Sequence, residues 1–300
     1  MIRKRPKRVL SFCWHWSKLN NVEKPRSAGY EFGEYYAAFW PGLLRSCLAV
    51  YPSWEIRIHH DNLVLDKFAY GPVLRELDAK GIVKLVPCGT MRGLRESNLW
   101  RMKPLWDDEV ELFRCEDLDS YREPRERMAT EEWIFTDAVS HSILDNAGHT
   151  IPYIGGSCGF RKSALQHLPW KSWEEMIEFA WTKYHLHHDR NSDQEFLSVY
   201  LWPMLADRNL VHILQDGDCG PVGSPEIRRG LRKIVPEDSP WMTDPGLCHV
   251  AKAFTFFEGI GDCVANGSPT VVKDVVSFYD SLCPDAIQEL AEVEKNHGYQ

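Results

Sequence analysis

Between Val9 and Val86 the chain repeats one rhythm, a short apolar run followed by an amphipathic helical stretch, and that alternation restricts the folds open to it. Val9 to Trp14 reads as a buried strand, with a polar loop containing Pro and Gly from Ser17 to Gly29 behind it. Pro41 suits a helix start, and Leu44, Cys47 and Leu48 fall at helical spacing before a Tyr51-Pro52 stop. Glu55 to His59, EIRIH, gives a second strand with Asp61 just beyond it. Val73, Leu74 and Leu77 share one helical face, Gly81 ends that helix, and Ile82 to Val86 gives a third strand. Strands alternating with helices at this interval predict an α/β fold with a mainly parallel central sheet flanked by helices. Ligands of such sheets gather beyond the strands' carboxyl ends. The first loop, Asp61 and the end of the next strand are therefore expected along one edge.

That next strand leads through the apolar residues Val110, Leu112 and Phe113 into LFRCEDLDS, where Asp117 and Asp119 flank a leucine. On extended backbone, residues i and i+2 project to the same side, so the two carboxylates are expected to converge while Leu118 turns into the protein. Two acid groups aimed at one point suit a hard cation. Mg²⁺ and Mn²⁺ take oxygen ligands and often accept only one or two protein carboxylates, leaving positions for water and phosphate. An Asp-x-Asp by itself also marks many solvated turns. Ahead of the strand, SNLWRMKPLWDD predicts a short helix from Ser97 to Trp106, kinked or restarted at Pro104. Arg101 there is expected to pair with a carboxylate or a phosphate, whereas Lys103 suits surface pairing with Asp107 or Asp108 equally well. Pro124 to Trp133 reads as a helix with a solvated polar face and no chemistry.

At 300 residues, 44% hydrophobic and 26% charged, the chain has the length for one large core. The expected organisation is a domain over residues 1–260 followed by a C-terminal helical extension over 261–300. No stretch reaches the roughly 18 apolar residues of a membrane-spanning helix, and the basic start is followed by too short an apolar run for a signal peptide. Nine cysteines without a Cys-x-x-Cys pair suggest neither a disulfide framework nor a zinc site, which makes a reducing cytoplasm the expected compartment. The net charge of −8 argues against a general nucleic-acid binder, and the cluster Arg3, Lys4, Arg5, Lys7, Arg8 reads as a solvated tail or as a local phosphate contact. Most of the 12 tryptophans are expected in core or rim packing.

Farther along, Gly155, Gly156 and Gly159 allow either close backbone approach by a ligand or a bulged strand. His141 and His149 lie in a His/Asp/Asn-rich stretch that suits capping or surface roles. Asp193 opens the helix continuing EFLSVYLW, as its cap or as a group facing a ligand. The run HLHHDR, with His185, His187 and His188, reads as a wet loop, because three imidazoles within four residues cannot all face one ion on a regular helix.

Taken in order, YPSWEIRIHHD, NLWRMKPL, EDLDS, PRERMATEEW, IPYIGGSCGFRK and SDQEFL resemble the GT-A glycosyltransferases. These are nucleotide-sugar-dependent enzymes with one Rossmann-like domain and an Asp-x-Asp metal site. The spacing is most similar to a bacterial and viral subgroup in which Arg-Asp-x-Asp-Ser is followed by Pro-Arg-Glu and a Glu-Trp pair. The resemblance runs from about Val9 to Leu214 and implies a GT-A, Rossmann-like single domain. It implies a nucleoside-diphosphate sugar as donor, with Mn²⁺ or Mg²⁺ held by Asp117 and Asp119. A late histidine, His249, would be a third ligand, and Lys252 would touch the phosphates. Arg101 would sit near the same phosphates or brace Asp117, Asp61 would face the base or ribose where it does not simply cap a turn, and Gly155 and Gly156 would lie against the sugar. If the transfer inverts, Asp193, with Asp137 second, would serve as general base toward the acceptor hydroxyl; a retaining transfer would need a different arrangement, and both stay open. Glu116 stands where the subgroup often has arginine, which predicts a more acidic site.

The acceptor is open: a saccharide, a lipid-linked sugar, a protein or a modified nucleic acid each fits. Two rival classes also stay open. A nucleotidyltransferase of similar fold would need the Gly-rich phosphate loop that is missing directly after the first strand, and a non-catalytic carbohydrate- or metal-binding protein would keep the fold alone.

Overall fold

The structure, a computed structural model, describes residues 6–15, 36–37, 39–89, 94–122, 124–144, 151–184, 192–213 and 285–299. Its centre is a seven-stranded sheet in the order β3-β2-β1-β4-β6-β5-β7, formed by β1 (Lys7–Trp14), β2 (Glu55–His60), β3 (Val83–Pro87), β4 (Val110–Glu116), β5 (Ser140–Leu144), β6 (Ser157–Arg161) and β7 (Asn209–Ile213). Among the described strands, β6 alone runs against its neighbours β4 and β5; the other pairings are parallel. This is the α/β arrangement that the strand–helix alternation predicts, Rossmann-like as the family resemblance implies.

Side-chain alternation along β1 explains the two layers. Leu10, Phe12 and Trp14 enter one apolar cluster, with α1 (Trp40–Val50), α2 (Val64–Lys67) and α3 (Gly71–Ala79), while Val9 enters a second on the opposite face. That second cluster takes Trp100, Met102 and Leu105 from a 3-10 helix (Trp100–Trp106) that continues α4 (Leu94–Leu99). Pro104 cannot supply an amide to an α-helical ladder, so the expected kink is realised as 3-10 turns. Gly81 ends α3 at a φ of 75°, where Gly81 N donates to Asp78 O and Ile82 N to Leu77 O, the paired bonds of a Schellman cap.

The helix α5 (Pro124–Ile134) departs from expectation. Rather than presenting a merely solvated polar face, it buries Glu126, Thr130 and Trp133 against the sheet. On the other face, α6 (Trp173–Phe179) and α7 (Ser192–Phe196) each run on into π-helical turns, Ala180–Tyr184 and Leu197–Leu201, and α8 (Trp202–Leu205) follows.

The C-terminal helix α9 (Asp285–Asn296) is part of the first layer. Ile287, Leu290 and Val293 recur at helical spacing and join the same cluster as α1 and α3. Its buried Glu294 accepts from Tyr70 Oη at 2.5 Å and pairs with Arg45. The expected boundary at residue 260 lies outside the described residues. Among the described residues no helix is long and apolar enough to cross a membrane.

Candidate functional site

Parallel pairing of β1, β2, β3 and β4 puts their carboxyl ends on one edge, with Trp14 beside His60 and His60 beside Pro87. β4 stops at Glu116, and Leu118 and Asp119 form a turn. The Asp-x-Asp therefore sits in a turn just past the strand, not on extended backbone, so alternation does not set the directions of its carboxylates. Leu118 does turn inward, 5% exposed, while Asp117 and Asp119 stay partly open to solvent.

Arg101 organises the turn from the front. Only 7% of its side chain is exposed, and it uses the whole guanidinium: Nε donates to Asn98 O at 2.8 Å, and Nη1 to Asp117 Oδ1 at 2.6 Å and Glu116 O at 3.4 Å. Nη2 lies 3.5 Å from Oδ2 of Asp193, which is itself buried. Burial would lower the Arg101 pKa, but the surrounding acidic groups, the carboxylates of Asp117 and Asp193 among them, outweigh it and hold it well above the usual value. Arg101 thus braces Asp117, one of its two expected roles.

The antiparallel β6 begins opposite Glu116 and so delivers the preceding Gly155-Gly156 turn to the same place. A Cβ on Gly156 would collide with the Asp117 carboxylate, and one on Gly155 would lie 2.8 Å from Arg101 Nη2. These glycines make room for the acid–base pair of the protein itself.

Around this centre, Asp61 spends Oδ1 on the backbone N–H groups of Leu63 and Val64, both at 2.8 Å, as a turn-capping residue at the start of α2. His60 holds the Asp61 carbonyl through Nδ1 at 2.7 Å. Burial, followed by the opposing pull of Arg101 and the push of Asp117 and Asp193, moves the Cys13 thiol up to about 11, so it is neutral and no nucleophile at physiological pH. Asn98 is a site residue that sequence reasoning missed: its carbonyl accepts from Arg101, and its Oδ1 meets His15 Nε2 at 3.3 Å. An asparagine inside a short helix at a sheet edge, where helix propensity disfavours it, was the available signal.

Several expectations are corrected. Asp137 is exposed and precedes β5, whose first residues lie alongside Arg161, the partner of Leu112 at the start of β4. It therefore sits at the opposite end of the sheet and cannot act with Asp117. Glu116 does not acidify the site. It points through the other face of the sheet, 1% exposed, between Arg114, at 2.7 Å, and Arg122.

His141 belongs to β5 and is fully buried, stacked on Trp133 with ring centroids 5.2 Å apart. Arg114 Nη1 donates to its Nδ1 at 3.2 Å, which fixes Nε2 as the donor to His212 Nδ1 at 2.9 Å; His212 Nε2 then donates to Glu132 at 3.0 Å. Lys103 lies over the Trp173 ring at 4.1 Å, and Asp107 and Asp108 pair instead with Arg57 and Lys162. His149, His185, His187, His188, His249 and Lys252 lie outside the described residues. Among the described residues no three His, Cys, Asp or Glu side chains converge as a ready-made metal cluster.

No protein-family model matches this chain, and no curated protein matches it. Solved structures similar to it include the glycosyltransferase GlyE of Streptococcus pneumoniae TIGR4, at 10% identity and a TM-score of 0.40 over 69% of this chain. The chain spans 45% of GlyE's length. A 4-diphosphocytidyl-2C-methyl-D-erythritol synthase from Anaerococcus prevotii DSM 20548 overlaps 75% of this chain and 94% of its own, at 11% identity and a TM-score of 0.40. TarS 1–349 from S. aureus overlaps 97% and 91% respectively, at 12% identity and a TM-score of 0.37. Similarity at this level concerns architecture and says nothing about substrates.

Proposed function

We propose that the chain is a glycosyltransferase that uses a nucleoside-diphosphate sugar as donor and a divalent cation, Mn²⁺ or Mg²⁺, at Asp117 and Asp119. The observation that carries this reading is the Asp117 carboxylate, 37% exposed, gripped by a buried arginine at the carboxyl edge of a parallel sheet. Two carboxylates from one partly open turn fit a hard ion that keeps positions for solvent and phosphate. When bound, such an ion supplies positive charge against the departing diphosphate.

The chain's own residues divide the remaining work. Arg101 has its donors committed inside the protein, so its part is to aim Asp117 rather than to reach a phosphate. Asp193, buried behind Arg101, balances and orients that guanidinium, a positioning role in place of the expected general base. Asp61 faces the nucleotide with one oxygen already given to the α2 turn. Gly155 and Gly156 keep the approach to Asp117 clear. The motif order carries over His249 as a third ligand and Lys252 as a phosphate contact. The acceptor is an unidentified hydroxyl.

The test is a thermal-shift and calorimetric panel of UDP, GDP, CMP and their sugar conjugates, each with and without Mn²⁺, on the wild type and on Asp119→Ala. Ligand at about 100 times its Kd should stabilise the native state by about 2.7 kcal/mol. The expected result is one nucleotide that stabilises only with Mn²⁺ and not in Asp119→Ala. A complete absence of nucleotide binding overturns the proposal, and stabilisation by a nucleoside triphosphate alone, in a parallel arm, transfers it to nucleotidyl transfer.

A further inference from the structure

The Asp117–Asp119 turn is bracketed by two residues that never face it. Glu116 precedes the turn and Arg122 follows it, both essentially without solvent exposure, and their side chains pair with each other behind the sheet. Arg122 Nη2 also donates to Ser120 O at 2.6 Å, and its amide donates to Ser46 Oγ on α1 at 2.9 Å. One arginine therefore ties the turn's exit both to its entrance and to the neighbouring helix.

The surroundings make this tie stiff. Glu116 takes Arg114 Nε at 2.7 Å, Glu126 lies 3.3 Å from Arg122 and 3.4 Å from Arg114, and Tyr51 Oη donates to Glu126 at 2.9 Å. Two guanidinium groups and two carboxylates balance in charge where water is excluded. Removing one member leaves an uncompensated charge, which is what gives a buried pair its directional hold. Tyr121 packs into the space left by Gly42, where a Cβ would come 2.6 Å from its hydroxyl.

We infer that Glu116 and Arg122 are positioning residues for the cation-binding turn, clamping it from behind while Arg101 holds Asp117 from the front. The geometry stands on its own, but the consequence for cation binding rests on the function proposed above.

The experiment uses the full chain with Arg122→Lys, which keeps the charge but cannot span Glu116 and Ser120 O together. Arg45→Lys serves as comparator, because it makes the same change of cation in a buried ion pair whose partner is Glu294 on α9 and not a residue of the turn. Two readouts are taken: amide hydrogen exchange over residues 117–121, and Mn²⁺ affinity by titration monitored through the ion's paramagnetic resonance. The expected result for Arg122→Lys is loss of protection in the turn and a Kd for Mn²⁺ raised about 10–100-fold, the usual span for residues that orient a metal's ligands. Arg45→Lys should lower the melting temperature without moving either readout.

If Arg122→Lys does not melt cooperatively, Glu116→Gln carries the same test, since it keeps the acceptor for Arg114. Unchanged turn exchange in the folded variant overturns the inference, as does unchanged Mn²⁺ affinity with a loosened turn. A wild type that binds no Mn²⁺ would sink the proposed function instead, and the exchange result would then decide the clamp alone.

Discussion

Gly156→Ala adds one methyl at the most crowded point of the site. Gly156 is not held at a positive φ; among the described glycines those values belong to Gly81, Gly89 and Gly298. The backbone would accept alanine, so the whole effect comes from the collision with the Asp117 carboxylate. One way to relieve it moves the turn, an overpacking cost of about 1–3 kcal/mol. Another swings Asp117 off Arg101 and gives up their 2.6 Å charge-assisted bond, about 1.5–3 kcal/mol. Either route comes to about 2 kcal/mol, on the order of 4–8 °C at roughly 2–4 °C per kcal/mol for a chain of this size.

The assay is the melting temperature of the unliganded protein together with the increment that nucleotide and Mn²⁺ add. Gly156→Ala should lose on both counts. Gly81→Ala is the control: nothing lies within 4 Å of its added methyl, but its φ of 75° makes alanine strained by about 1–2 kcal/mol at a helix cap away from the site. It should lower the melting temperature and leave the ligand increment intact. A Gly156→Ala protein within about 0.5 kcal/mol of wild type and with a full Mn²⁺-dependent increment would refute the packing argument.

Arg101→Met removes the cation that Asp117 and Asp193 share and should destabilise by about 3–5 kcal/mol in chemical denaturation, with partial recovery on adding Asp193→Asn; no recovery would mean the two carboxylates do not depend on it. Asp137→Asn, at the far end of the sheet, should stay within about 0.5 kcal/mol of wild type and keep the nucleotide response, and losing that response would return Asp137 to the site. Burial pushes the His59 imidazole down from 6.5 to about 3, against the hydrogen bond to Phe12 O and with the help of Arg57, Lys103 and His60. The unfolded chain then takes up a proton near pH 6.5 that the folded chain refuses until about pH 3, so this contribution is whole above that window and is lost as pH falls through it. Melting curves from about pH 7 to about pH 4 should fall more steeply for wild type than for His59→Gln, and parallel curves would contradict the assignment.

The parallel half of the sheet was legible because its signals are local. Apolar runs, Pro41 at a helix start and Gly81 at a helix end each act within a few residues, and the observed β1, α1, β2, α3 and β3 follow them closely. Arg101 was legible in part, since a guanidinium just ahead of an acidic turn suits a carboxylate or a phosphate, and its burial beside Asp117 decides for the carboxylate. The antiparallel insertion of β6 between β4 and β5 was not, because only pairing between distant segments decides it. The same limit hid the inward course of Glu116, Glu126 and His141. A charged residue in a strand or helix reads as solvent-facing until its counter-charges, here Arg114 and Arg122, are known to lie on the same side. Asp137 was misplaced for a related reason: nothing in its vicinity says at which end of the sheet the following strand begins.

The partnership of Tyr70 with Glu294 spans 224 positions. At roughly 5–20 residues per second on the ribosome, Tyr70 waits on the order of 10–45 s for its acceptor. During that interval the nascent chain presents, on α1 and α3, the apolar stripe and the Arg45 guanidinium that α9 will cover. A chain that stops short of α9 would therefore keep an apolar stripe and a buried-type arginine in water at this seam.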